Sequence, residues 1–180
     1  MSAALAHELM VFNGQLDTHK TEANNRSAAG KPYKTLSLAS VWGQASKPTR
    51  SLKAKALALM ASAYCDHDGR EHKAQQDRGR FVVLRCDVDK GHTSLADLKA
   101  ALLAFAGDGA ALCVYSTSSA TPDAPRWRGV IPLSEPLGFK AWNRLQRALH
   151  WHLSEHGIDF DGSMEPVSYT HRTQPTRYRM

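Results

Sequence analysis

Long hydrophobic runs are absent from this chain of 180 residues. No apolar stretch approaches the roughly 18 to 20 residues that a membrane-spanning helix needs, and the N-terminus lacks the order of basic, apolar and small residues that marks a secretory signal. Cysteine is scarce, and the three cysteines are widely spaced, so no disulfide framework is indicated. These absences favour a cytoplasmic protein with one main core and a short N-terminal appendage.

The segment from Gly30 to Lys55 contains no acidic residue, and the whole chain carries a formal net charge of +6. A basic surface attracts phosphate backbones without reading the base sequence. The same segment holds Tyr33 and Trp42, so it is either a nucleic-acid contact strip or a solvated basic linker. We call it the basic strip, and its cations are Lys31, Lys34, Lys47, Arg50, Lys53 and Lys55.

The first 79 residues are expected to form an N-terminal extension of helix and basic linker, to which no chemistry is assigned. A run rich in alanine and leucine predicts a helix over residues 52–64. Residues 66–80 are almost wholly polar and predict a loop. From residue 80 to about residue 165 the pattern indicates one α+β domain.

Apolar runs and helical stripes alternate in a definite order within that domain. The pattern predicts a strand over 81–89, a helix over 95–107, strands over 111–115 and 127–131, and a helix over 138–155. The order β-α-β-β-α lacks only a final strand to complete the split βαβ arrangement of ferredoxin-like and RRM-like folds. We therefore expect a palm-like sheet covered by helices.

The C-terminal tract, residues 166–180, shows no apolar periodicity where the final strand would be expected. Its first six residues, Pro-Val-Ser-Tyr-Thr-His, resemble the translated read-through of a sequencing adapter. We therefore expect the native sequence to stop near Glu165 and the tract to be a non-native tail. In that case the last strand is missing, the tail makes few contacts and one sheet edge remains unpaired.

Paired carboxylates follow the first strand and the second helix of this domain. Asp87 and Asp89 lie two residues apart, which in a strand places both side chains on one face, about 7 Å apart along the chain. Asp159 and Asp161 repeat the spacing after the second helix. Carboxylates that converge in this way can hold Mg²⁺ or Mn²⁺ for nucleotidyl transfer, whereas the simpler interpretation is that they are solvated strand ends.

A hydroxyl-rich turn lies between the two pairs of carboxylates. It includes Ser118 and is followed by Arg126 and Arg128, which share a face by strand alternation. Small hydroxyls permit close approach of a triphosphate, and arginine offers planar, bidentate donors to phosphate. The alternative is that the two arginines are ordinary surface residues.

From residue 80 to residue 161 the chain resembles the archaeo-eukaryotic primase superfamily, in particular the primase-polymerase domains of phage and plasmid replication proteins. The first family motif, an apolar strand that ends in Asp-x-Asp, matches Asp87 and Asp89. The second, Ser-x-His before a Pro-Arg-Trp-Arg-apolar-Pro-Leu segment, matches Ser118 and residues 126–133. The third is a later acid, for which Asp161 is the first choice and Asp159 the second.

The resemblance implies a metal-dependent enzyme that joins nucleoside triphosphates on a single-stranded DNA template. Asp87, Asp89 and Asp161, with Asp159 as a further candidate, would be ligands of Mg²⁺ or Mn²⁺. Ser118, Arg126 and Arg128 would bind the nucleotide. A helicase domain is expected downstream in the intact replication protein.

One position departs from the family pattern, since Ala120 stands where the second motif carries histidine. That histidine contacts the nucleotide's phosphate in the family, so a second hypothesis is a catalytically impaired palm-fold module that still binds nucleic acid. A rolling-circle nuclease, which uses a His-apolar-His metal site, is a third. His150 and His152 match those letters, but they lie in a predicted helix, where residues two apart diverge by about 200°.

Overall fold

A computed structural model describes residues 3–13, 33–47, 57–90, 92–117 and 120–161. These residues form an α+β structure with two three-stranded antiparallel sheets, which confirms the predicted fold class. The strands are β1 Glu8–Asn13, β2 Lys34–Ser37, β3 Leu57–Leu59, β4 Phe81–Val88, β5 Cys113–Ser116 and β6 Trp127–Leu137. The helices are α1 Leu38–Ser46, α2 His72–Arg78, α3 Leu95–Ala106 and α4 Phe139–Glu155, and a short 3₁₀ turn spans Ala3–Ala6. None of the described helices is both long and apolar enough to cross a bilayer.

The first sheet belongs to the N-terminal extension and has the strand order β2-β1-β3. Its central strand is buried on both faces, since Leu9, Met10 and Val11 are all inaccessible to solvent. Helix α1 follows β2 directly, and the Ser37 hydroxyl caps it by accepting a hydrogen bond from the Ser40 N–H. The described part of the extension therefore combines helices with an antiparallel sheet that the sequence did not predict.

Two local predictions for the extension are wrong. The helix expected over 52–64 is contradicted at residues 57–59, which form β3 and pair with β1. The edge of β1 has free N–H and C=O groups with which residues 57–59 can pair. This pairing outweighs the helix propensity of alanine and leucine, which amounts to tenths of a kcal/mol per residue. The loop expected over 66–80 contains α2, whose buried Gln75 donates to the carbonyl oxygens of Tyr64 and Gly69. A polar residue at a buried helical position hides the apolar periodicity.

The second sheet has the order β4-β6-β5, and the described elements follow the predicted sequence β-α-β-β-α. Helix α3 connects β4 to β5 and leaves room for β6 between them, as a split βαβ unit requires. The Ser94 hydroxyl caps α3 by accepting from the Asp97 N–H. Gly129 lets β6 pack closely against β4 and α3, because a Cβ atom at this position would lie 2.7 Å from Cys86 Sγ and 2.8 Å from a Leu102 methyl group.

The outer edge of β4 is hydrogen bonded by side chains of α4. The Trp142 indole donates to the Val83 carbonyl at 2.8 Å, and the Gln146 amide both donates to the Arg85 carbonyl at 2.7 Å and accepts from the Arg85 N–H at 3.1 Å. The Asp161 N–H then donates to the Asp87 carbonyl at 2.7 Å. The predicted unpaired edge is therefore wrong for β4, although no described segment adds a fourth strand to this sheet. The predicted non-native tail, residues 166–180, lies outside the described residues.

One apolar cluster joins the two sheets. It includes Leu9 and Leu38 from the extension together with Phe81, Leu102 and Trp142 from the second sheet and its helices. Phe81 and Trp142 stack with ring centroids 4.3 Å apart. The predicted boundary near residue 80 therefore separates two sheets that share one core.

We predict that Gln146→Leu will destabilise the protein by at least about 2 kcal/mol, because the buried N–H and C=O of Arg85 both lose a partner and each costs about 1 to 3 kcal/mol when unsatisfied. Urea denaturation measures the change. The control is Gln44→Leu on the exposed face of α1, for which we expect a change within about 0.5 kcal/mol. Equal stability of the two variants would show that α4 does not hold the β4 edge.

Candidate functional site

Three polar side chains form a row across the second sheet. The strand register places Asp87 of β4 opposite Arg128 of β6, and Arg128 opposite Tyr115 of β5. An Arg128 guanidinium nitrogen lies 2.6 Å from Asp87 Oδ2, and Tyr115 interacts electrostatically with Arg128. Burial alone would lower the pKa of Arg128, but Tyr115 and Asp87 outweigh burial and raise that pKa above its usual range. Arg128 is therefore a fixed cation in this row.

Arg85 is a second cation on the same face, and it is not among the site residues predicted from the sequence. It lies two residues before Asp87 and is partly buried, with one guanidinium nitrogen 3.5 Å from the Leu59 carbonyl of β3. Burial lowers the pKa of Arg85, and the like charge of Arg128 adds to that effect. Arg85 and Asp87 are two residues apart in one strand, so strand alternation places their side chains on the same face. This pattern alone would have been enough to include Arg85 among the candidate site residues.

Asp87 has one engaged oxygen and one that lacks a partner. Oδ2 accepts from Arg128, whereas Oδ1 is buried and accepts no hydrogen bond from any described residue. A buried carboxylate oxygen without a donor is costly, and such an atom is a natural ligand for a bound cation. Asp89 follows the last residue of β4 and is exposed. Both acids therefore lie at the predicted strand end.

Comparison of the chain with family models, with curated proteins and with solved structures finds no match in any of the three.

The two later acids are separated by the structure. Asp161 lies beside Asp87 at the strand edge, through the hydrogen bond from its own N–H to the Asp87 carbonyl. Asp159 instead lines a cleft of about 290 Å³ together with His92, Asp97 and His156. Asp161, the first choice from sequence, is therefore the later acid whose backbone reaches the row. Among the described residues no three His, Cys, Asp or Glu side chains form a metal-binding cluster.

The predicted nucleotide-binding residues are only partly described. Ser118 lies outside the described residues. The loop around it begins at Thr117, whose N–H donates to the Arg126 carbonyl at 3.0 Å and continues the β5–β6 hairpin. Arg126 precedes β6 and is partly buried, while the N–H of Ala120 donates to the Thr117 carbonyl at 3.1 Å. The hairpin thus brings Arg126, Arg128 and the hydroxyl-rich turn, which was predicted to bind the triphosphate, to one end of the sheet.

The described part of the basic strip offers cations but no stacking aromatic ring. Lys34 and Lys47 are exposed, whereas Tyr33 is buried against Met10 and Met60. Trp42 is partly buried and packs against the main core. The strip's other cations, Lys31, Arg50, Lys53 and Lys55, lie outside the described residues.

The two histidines that suggested a rolling-circle site point to different neighbours. His150 is buried, with its ring 4.5 Å from that of Phe160, while His152 Nε2 lies 2.9 Å from the Ala101 carbonyl oxygen of α3. Both residues are inside α4, where their side chains diverge by about 200°. They therefore do not form a shared metal site.

His150 is buried in α4 and its ring contacts the Gln146 side chain that holds the β4 edge. The Arg85 N–H and carbonyl orient the Gln146 amide, so that its nitrogen faces His150 Nε2 at 2.8 Å and must donate to it. A protonated Nε2 could not accept that hydrogen bond. Burial lowers the pKa of His150 below its usual range, a hydrogen bond with the Arg85 backbone opposes that shift, the Arg85 charge adds to it, and Asp161 also opposes it.

We predict that the free energy of unfolding falls as the pH decreases from 7.5 through the unfolded-state pKa of about 6.5 towards the lower native pKa. In this window the unfolded chain binds a proton at residue 150 and the native chain does not, so one proton contributes at most about 1.4 kcal/mol per pH unit. Urea denaturation at a series of pH values measures the slope. We expect His150→Gln to flatten it and His92→Gln, at an exposed site, to leave it unchanged. An unaltered slope in His150→Gln would contradict the assignment.

Proposed function

We propose that this chain is the catalytic palm domain of a metal-dependent primase or primase-polymerase, which joins nucleoside triphosphates on a single-stranded DNA template in phage or plasmid replication. The observation that carries the proposal is Asp87, whose Oδ1 is buried without a partner in the part of the chain that the structure describes, while Oδ2 is held by Arg128. Asp89 and Asp161 reach the same strand end. A carboxylate prepared in this way, beside fixed cations, suits a divalent ion and a triphosphate together.

The residues divide into two roles. Asp87, Asp89 and Asp161 would hold Mg²⁺ or Mn²⁺, which when bound lowers the cost of developing charge on the attacking and leaving oxygens. Arg128 and Arg126 would bind the triphosphate, with Ser118 in the loop between them and β5. Arg128 is oriented by Asp87 and Tyr115 before any ligand arrives, so little side-chain freedom remains to be lost on phosphate binding.

A second candidate function is a non-catalytic nucleic-acid-binding module that keeps the palm shape. It is favoured by Ala120, which cannot donate to a phosphate, and by the Asp87–Arg128 ion pair. An aspartate that already neutralises an arginine binds a metal less strongly than a free pair of carboxylates. Metal-dependent incorporation of nucleotides distinguishes the two functions.

Asp87→Asn is expected to abolish primer synthesis and extension, because it removes a metal ligand and withdraws stabilisation from the transition state. Binding of the nucleotide should survive, since the arginine contacts to phosphate remain. The assay measures incorporation with Mg²⁺ or Mn²⁺ beside nucleotide affinity, with Asp108→Asn at an exposed turn as the matched control. If the parent protein incorporates no nucleotide with either metal but binds single-stranded DNA, the non-catalytic module is the correct function.

Ala120→His is expected to tighten triphosphate binding about ten- to a hundredfold, because an imidazole can donate to a phosphate oxygen in a charge-assisted hydrogen bond of about 1.5 to 3 kcal/mol. Isothermal titration calorimetry measures the affinity. Ala124→His provides the control, since it introduces the same side chain at an exposed position of the same loop. If Ala120→His changes neither affinity nor turnover while Arg126→Ala abolishes binding, the second motif has been placed wrongly.

A further inference from the structure

The outward face of α4 carries a stripe of cations that ends in a tryptophan. At 100° per residue, the side chains at positions 140, 144, 147 and 151 fall within an arc of about 60° and span about 16 Å of helix. We call these four residues, Lys140, Arg144, Arg147 and Trp151, the α4 stripe, and all four are exposed. The opposite face of the helix is buried through Trp142, Gln146 and Leu149.

The cations of the α4 stripe have no partner within the described structure. Neither Lys140, Arg144 nor Arg147 makes an ion pair or a hydrogen bond through its side chain to any described residue. The carboxylate of the helix, Glu155, lies beyond Trp151 at the C-terminal end. The stripe is therefore a row of uncompensated positive charge that an anionic partner would neutralise.

Trp151 is the most exposed large apolar side chain of the described residues, with 72% of its surface accessible. Its neighbours on the stripe are charged, so the indole forms an isolated platform and not part of a broad apolar patch. A helix that lies on a membrane needs a wide apolar face, and the apolar face of α4 is already covered by the sheet. A flat ring beside a row of cations instead fits a strand of unpaired bases, since bases stack on aromatic rings while phosphates contact the cations.

We propose that the α4 stripe binds single-stranded nucleic acid, with a base stacked on Trp151 and the phosphate backbone along Arg147, Arg144 and Lys140. This surface uses none of the residues assigned to metal or nucleotide binding. It therefore does not depend on polymerase activity and would also serve a non-catalytic module. It supplies the exposed aromatic ring that the described part of the basic strip lacks.

The test is titration of the full chain with a fluorescently labelled oligothymidylate at several salt concentrations. For single-stranded nucleic acid, a plot of the logarithm of affinity against the logarithm of salt concentration has a slope of about −0.7 for each phosphate contact. The Arg144→Ala/Arg147→Ala variant should therefore bind more weakly, with a slope reduced by about 1.4. Lys99→Ala, an exposed cation on α3, is the control and should leave the slope unchanged.

Stacking is tested separately at Trp151. Replacement by alanine should weaken binding about five- to a hundredfold, as removal of one base–aromatic stack does elsewhere, whereas Trp151→Phe should retain most of the affinity. Leu95→Ala, at another exposed apolar side chain, is the matched control. Because these side chains are exposed, thermal melting followed by circular dichroism should be the same for all variants.

Wild-type affinity and salt slope in both the double arginine variant and Trp151→Ala would overturn the proposal. The proposal would also be overturned if the parent protein bound anionic phosphatidylserine vesicles and these variants lost that binding while their affinity for the oligonucleotide stayed unchanged. Absence of nucleotide incorporation would refute the proposed polymerase function alone, because oligonucleotide binding at the α4 stripe is measured without metal or triphosphate.

Discussion

The backbone of β4 must be hydrogen bonded along both edges, and this requirement organises the second half of the molecule. One edge pairs with β6. The other would carry unsatisfied groups next to buried side chains, which costs about 1 to 3 kcal/mol for each group. Trp142 and Gln146 satisfy Val83 and Arg85, and the Asp161 N–H satisfies Asp87. The position of α4 and the return of the chain to the strand end both follow from this edge.

The candidate site depends on the same strand. Because β4 is held on both edges, the side chains of Arg85 and Asp87 have fixed directions on one face, and β6 places Arg128 beside Asp87. Two cations, Arg85 and Arg128, flank the Asp87 carboxylate on this face, and cations suit an anionic ligand. Asp87 Oδ1, which accepts no hydrogen bond from any described residue, adds a position for a small cation. A triphosphate with its divalent ion has both kinds of charge.

Local patterns were sufficient for the regular elements after residue 80. Alternating or continuous apolar runs located β4, β5 and β6, and the helical stripes located α3 and α4. Strand alternation also predicts shared faces for Asp87 with Asp89 and for Arg126 with Arg128, but Asp89 and Arg126 lie just outside β4 and β6. The same alternation includes Arg85, a basic residue inside an apolar strand.

The N-terminal extension was predicted less well, because its elements depend on partners distant in sequence. Residues 57–59 become a strand only because β1 offers a free edge, and α2 is stabilised by a polar residue, Gln75, that has no apolar signature. Composition and periodicity are local properties, so they indicated the order of strands and helices, the paired acids and the basic character of the chain. Which carboxylate meets which arginine, which later acid returns to the β4 edge, and which face of α4 stays in solvent depend on long-range packing and hydrogen bonding, and these arise only when the chain is folded.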